Sequence, residues 1–148
     1  MAVVRTAGTE IIRSIFNEEI ANTERKLIFG VQHHIYTVLS VICYCTARSG
    51  TEKGYLKMVG YDSNAGTSAQ IIYLAQLNND SQETFVFNDK FSFNGHEPTD
   101  FTGPMDSIVK QDAIADQGSS VAQYLSFETD GSGTQYDLTV TYIDQNNA

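Results

Sequence analysis

Tryptophan is absent, cysteine and proline occur only twice each, and basic residues are few, with nine Lys and Arg against eighteen Asp and Glu. Each scarcity excludes something. Two cysteines cannot build a disulfide framework, and without a second pair they do not make a cysteine-based zinc site. Cys43 and Cys45 stand one residue apart, which on a strand puts both side chains on one face, where bridging each other would strain the backbone. They are expected as buried free thiols. A net charge of -9 opposes attraction to phosphate backbones, so no nucleic acid is expected as a partner.

Long hydrophobic runs are missing as well. The longest, Ile35 to Cys45, is interrupted by Thr37 and Ser40 and falls well short of the roughly 20 residues of a membrane-spanning helix. No membrane partner is expected. The opening Met1-Ala-Val-Val-Arg-Thr-Ala-Gly has no basic segment, apolar stretch and cleavage site of a secretory signal, which argues against export by that route. Phosphate loops, nucleophile elbows and paired-histidine zinc helices are absent as motifs.

What is present is enough for a real core. At 148 residues, with 41% hydrophobic content, eight Tyr and eight Phe, the chain fits one domain that folds without metal or disulfide staples. Period-two patterns separated by short polar turns recur along it, the signature of an antiparallel sandwich or barrel of seven to nine strands. Glu10 to Phe16 reads either as a strand or as a short amphipathic helix. Strands are then expected at Arg25 to Val31, Ile35 to Thr46, Tyr55 to Tyr61 and Ala69 to Leu77. The nearly all-apolar run at Ile35 to Thr46 suggests burial on both faces, one against the core and one against a neighbouring segment or subunit. Glu83 to Phe87 and Lys90 to Phe93 form either a hairpin or one bent strand around Asn88-Asp89. Val121 to Glu128 and Tyr136 to Ile143 make the clearest hairpin, across Thr129-Asp-Gly-Ser-Gly-Thr-Gln, whose glycines accept positive backbone angles.

The expected fold is therefore all-β: an antiparallel β-sandwich, jelly-roll-like or Ig-like, with an N-terminal arm and one long loop carrying a short helix. Residues 1–22 are assigned to the arm and residues 23–148 to a single sandwich domain. Its long loop, 94–120, is too long to be structureless without a function. Within it, Asp106 to Gln117 can form the short helix, with Gly118 as a C-cap. Eight apolar residues of the arm and loop are the candidates for contact with a partner: Ile11, Ile12, Ile15, Phe16, Phe101, Met105, Ile108 and Val109.

Residues with chemical potential have structural explanations that weigh more. His33-His34 can ligate metal in principle, but neighbours on a strand point to opposite faces, which favours a turn or interface role. His96, beside Glu97 and near Asp100, is the one candidate for a cryptic hydrolase, and a loop role is favoured there too. Asp62-Ser-Asn-Ala-Gly66 opens like a calcium loop but lacks the glycine position and the closing glutamate. Asp130-Gly-Ser-Gly is explained as a turn. No catalytic residue, cofactor or metal is assigned.

Two stretches carry a resemblance. Glu10-Ile-Ile-Arg through Lys26-Leu-Ile-Phe-Gly-Val-Gln-His-His-Ile-Tyr-Thr-Val-Leu-Ser-Val-Ile-Cys, and Phe85-Val-Phe-Asn-Asp-Lys-Phe-Ser-Phe through Pro98-Thr-Asp-Phe, resemble small structural proteins of tailed bacteriophages, especially contractile-tailed phages of cyanobacteria. The resemblance implies a non-enzymatic virion component assembled in the host cytoplasm, first of all a capsid decoration or cement protein. Its partners would be the major capsid protein or other virion proteins, with self-association as a homo-oligomer, a trimer suiting sites of local threefold symmetry. The alternatives are a tail, neck or baseplate component, and a carbohydrate-binding module stacking sugars on exposed Tyr. The resemblance assigns no binding residue.

Overall fold

The computed structural model describes residues 9–61, 69–96 and 121–146. They form nine strands: β1 (Thr9–Ile20), β2 (Arg25–Phe29), β3 (His34–Ala47), β4 (Gly54–Tyr61), β5 (Ala69–Leu77), β6 (Thr84–Phe87), β7 (Phe91–Asn94), β8 (Tyr124–Thr129) and β9 (Gln135–Asn146). No helix occurs among the described residues. The loop helix expected at Asp106 to Gln117 lies outside them.

The pairing is that of one long hairpin rolled up on itself. Strands from the first half meet strands from the second in nested order, β1 with β9, β2 with β8, β3 with β6 and β7, and β4 with β5, all antiparallel. Pairing of β3 with β9 and of β4 with β8 then closes two sheets. One has five strands in the order β1-β9-β3-β6, with β7 also on β3, and the other has four in the order β2-β8-β4-β5. This nesting selects a jelly roll over an Ig-like arrangement.

Alternation along each strand makes the core. On β9, Tyr136, Leu138, Val140 and Tyr142 are buried while the residues between them are half-exposed. The opposing sheet contributes Leu27, Ile28, Leu56, Leu77, Leu125 and Phe127. Phe127 and Tyr136 meet edge-on across the two layers, ring centroids 5.2 Å apart. Full burial of each large apolar side chain contributes about 1.5–3 kcal/mol.

Four expectations change in detail. Residues 9–20 of the expected arm are a strand of the five-stranded sheet, neither helix nor free extension, and Ile20 is buried in the core. The sandwich therefore includes the chain from Thr9 onward, because the twelve-residue β9 is paired with β1 almost along its whole length. The β6–β7 ambiguity resolves to one interrupted strand. Both pieces run along the same edge of β3, with Phe87 opposite Val41 and Phe91 opposite Val38, and their rings meet edge-on at 6.2 Å across the break. The strand of the last hairpin begins at Tyr124 and not at Val121.

The fourth change concerns β3. A register shift between Val38 and Ser40 against β9 lets Val38 and Val41, three residues apart, both point inward, followed by Cys43 and Cys45. The outer face of β3 is not buried: Ile42 and Tyr44 stand in solvent.

The ends of the sandwich are tied by close backbone packing and by short polar clamps. A Cβ on Gly30 would collide with the Gly95 carbonyl oxygen, and one on Gly95 with that of Val31. Only glycine allows the β2–β3 turn to cross the end of β7 this closely. Arg48, just after β3, donates to the Asn78 carbonyl and to the Asp80 carboxylate, fastening the β5–β6 connection. At the turn expected from Asp130-Gly-Ser-Gly, the Asp130 carboxylate accepts from the Lys53 backbone N–H at 2.7 Å.

Candidate functional site

The outer face of the five-stranded sheet is the most distinctive surface of the molecule. Strand register lines up its outward side chains in rows. One row runs Ile12, Ile143, Thr37 and Ser92 from β1 to β7, a hydroxyl row of Ser14, Thr141 and Ser40 follows, and the row after it runs Phe16, Thr139, Ile42 and Val86 from β1 to β6. Thr84 and Tyr44 face each other in a further row. Ile12 is 72% exposed and Phe16 60%, with Val86, Ile42 and Tyr44 also open to solvent. These are β-branched and aromatic residues at positions that, on a solvated sheet face, normally alternate to polar ones. Threonines and serines between them supply hydroxyls, such as the Thr37–Ser92 pair at 2.9 Å.

A second feature lies at one end of the sandwich, on the inner side. Asp144 near the end of β9 is buried, and its two carboxylate oxygens are taken by different strands: Oδ1 by His34 Nδ1 at 2.6 Å and Oδ2 by Arg13 Nε at 3.3 Å. His34 stacks on Tyr36 at 6.0 Å. Burial pushes the Tyr36 hydroxyl up to about 12, with the nearby Asp144 charge adding to the rise and a hydrogen bond from the Val31 N–H opposing it. Tyr142 beside it is raised by burial too, against the opposing pull of Arg13. A carboxylate holding His Nδ1 is an arrangement found in hydrolytic triads. Here the same carboxylate also binds the half-exposed Arg13, and the cluster joins β1, β9 and β3 with its buried carboxylate satisfied on both oxygens. Among the described residues, no group of three or more His, Cys, Asp or Glu could hold a metal ion.

On the outer face of the four-stranded sheet, Lys57 is buried between two carboxylates, Glu24 at 2.7 Å and Glu128 at 2.6 Å. Burial alone would lower its pKa, but the hydrogen bonds to Glu128 and Glu24 outweigh that and hold it above the ordinary lysine value. Nearby, Lys26 sits over the rings of Phe29 and Tyr124, at 4.8 and 4.5 Å.

The candidate contact residues divide three ways. Ile12 and Phe16 project outward as a contact role requires. Ile11 and Ile15 lie on the opposite side of the same strand and are half-buried, Ile15 against the core. Phe101, Met105, Ile108 and Val109 lie outside the described residues, as do Glu97, Asp100 and the Asp62 to Gly66 turn. His96 is half-buried and bridges to Ala122. His33 occupies a turn with positive φ of 67°, while His34 opens β3. Cys43 and Cys45 are buried free thiols. Sequence reasoning missed Ile42, Tyr44, Val86 and Ile143 as surface residues, although for Ile42 and Tyr44 the two-sided apolar pattern of β3 contained the signal. It also missed the pairing of His34 with Asp144, 110 residues away, for which local sequence offers no signal.

No known protein family matches the chain, and no curated protein matches it. Among solved structures, the chain is similar to one of the Bacillus endospore appendages that "form a novel family of disulfide-linked pili", at 10% identity and a TM-score of 0.42, covering 100% of this chain and 97% of that one.

Proposed function

We propose that this chain is a non-enzymatic structural subunit of a tailed-phage virion, a decoration or cement protein that docks on the major capsid lattice. The observation that carries the reading is the set of exposed apolar side chains set among hydroxyls on the outer face of the five-stranded sheet, anchored by Ile12 and Phe16. Burying side chains of this size on a partner contributes about 1.5–3 kcal/mol each before the entropy of association is subtracted. The interspersed threonines give directional hydrogen bonds at the rim of such a contact. The two stretches that resemble phage structural proteins supply β1 to β3 and β6 to β7, which include all three of the strands that present exposed Ile12, Phe16, Ile42, Tyr44 and Val86. A jelly roll is a fold used by capsid and lectin domains, a likeness of architecture alone.

The test is the copy number and position of the chain in intact particles, by quantitative mass spectrometry and an electron-microscopy reconstruction. Hundreds of copies over the head support the reading. A few ringed copies point instead to tail, neck or baseplate, and absence from particles overturns it. On the particle, Ile12→Glu with Phe16→Glu is expected to abolish occupancy while the isolated protein keeps its β-sheet circular dichroism. Full occupancy by the double variant would remove this face from the contact.

A further inference from the structure

Each sheet of a sandwich ends in strands with an unpaired side, and natural chains guard such edges with charges, breaks or bulges. The edges here are guarded unequally. β1 carries Glu10, Arg13 and Glu18, and β2 carries Arg25 and Lys26. The third edge is split into β6 and β7, with Asn88-Asp89-Lys90 between them. β5 is different: among the described residues it is terminal in its sheet, pairing with β4, and none of its nine residues, AQIIYLAQL, is charged. At its centre three consecutive large side chains are exposed, Ile71 at 46%, Ile72 at 65% and Tyr73 at 60%. Both faces of the strand are therefore apolar where a lone edge would need protection. Among the described residues, Gly54–Tyr61 pairs along one of its two hydrogen-bonding sides and no strand pairs along the other.

We propose that β5 pairs antiparallel with β5 of a second copy about a two-fold axis at Ile72, joining two four-stranded sheets into one of eight. In that register Ile71 of each copy faces Tyr73 of the other. β-Branched and aromatic cross-strand pairs of this kind each contribute about 0.2–1 kcal/mol. The occupant is a second copy because the strand is uncharged and self-complementary. Two chains each carrying -9 repel over most of their surface, and here no carboxylate meets another. A basic partner would find no counter-charge on β5. A register shift between Leu56 and Lys57 against β5 bends the strand after Tyr73 and confines the pairing to the stretch around Ile71–Tyr73. A two-fold contact closes at two chains, unlike the trimer expected from lattice symmetry. It stands apart from whatever the five-stranded face docks on.

Sedimentation velocity of the full chain, from micromolar to submillimolar loading at low and high salt, tests it. The expected result is a monomer–dimer equilibrium that strengthens with salt, because screening removes the mutual repulsion. Ile72→Lys is expected to weaken the dimer by about tenfold or more with an unchanged circular dichroism spectrum. Under mild oxidation, Ile72→Cys is expected to cross-link into a dimer and Phe16→Cys to remain monomeric. A monomer throughout, a dimer that salt weakens, a dimer indifferent to Ile72→Lys, or cross-linking through residue 16 in place of 72 would each overturn the proposal.

Discussion

The two faces of the five-stranded sheet are built by the same strands and carry nearly the same residue types, yet they do opposite things. Inward, Val38, Val41, Cys43, Leu138 and Val140 are fully buried in an aliphatic layer that meets the second sheet. Outward, Ile12, Phe16, Ile42 and Val86 alternate with threonine and remain in water. Hydrophobicity alone does not tell the two apart. What separates them is the presence of hydroxyls between the outer apolar residues, and the register shift at Val38/Ser40 that decides which β3 residues turn inward. A face whose polar groups are paired among themselves, as Asp144 is with His34 and Arg13, is finished by folding, whereas one that mixes hydroxyls with exposed isoleucine and phenylalanine is suited to a partner that can satisfy both.

The sharpest way to break this contrast is to delete the same bulk on each side. Leu138→Ala is expected to lose about 2–5 kcal/mol of unfolding free energy, through lost transfer energy and an unfilled cavity. Ile42→Ala, on the outer face, is expected to change it by less than about 1 kcal/mol. Urea unfolding of both variants measures the difference, and equal losses would mean that the outer face is part of the isolated protein's core.

Lys57→Met addresses the other sheet and is expected to cost about 1–2 kcal/mol at neutral pH, in the lower part of the range for charged hydrogen bonds, because Glu24 and Glu128 keep about a third of their side-chain surface in water. Since the lysine pKa is raised on folding, its contribution is fully present below 10.5 and disappears as pH rises through the higher folded value. The raised Tyr36 and Tyr142 hydroxyls also withdraw stability at alkaline pH, so the wild-type minus variant difference, followed by thermal melts, isolates the lysine. A difference that grew with alkalinity would contradict the assignment.

The smallest effect concerns the thiols of the inner face. Burial pushes Cys43 up to about 12 and raises Cys45 too, partly offset there by a hydrogen bond with Tyr136. Neither is expected to react with a thiol-specific reagent until the protein unfolds, so the labelling rate at a given denaturant should follow the unfolded fraction. Rapid labelling of one thiol in the native protein would show that the inner layer opens locally.

Much of the architecture is legible in the sequence because period-two alternation is local. It predicts β5 at its observed bounds, and β3, β4, β6, β7 and β9 within a few residues. The nesting that makes a jelly roll is not legible, since it depends on pairings such as Thr9 with Asn146 that no local pattern encodes. The same limit hides the Arg13–Asp144–His34 network and the pairing of Lys57 with Glu24 and Glu128. The first strand is ambiguous because Ile11, Ile12, Ile15 and Phe16 satisfy helical spacing as well as alternation, and pairing along β9 decides it. Of the contact residues, Ile12 and Phe16 are legible as exposed apolar positions on an early segment. Ile42 is signalled only by the two-sided apolar run of β3, and Val86 not at all, because an apolar residue in a strand is read first as core.

Thr9 lies beside Asn146 on one edge of the ladder, and His34 lies beside the same Asn146 on the other. Polypeptide entering at Thr9 and leaving at Asn146 therefore does so from a single corner, about one strand spacing apart, roughly 5 Å. Fluorophores attached at Thr9 and Asn146 themselves would sit as near neighbours, suited to a proximity reporter.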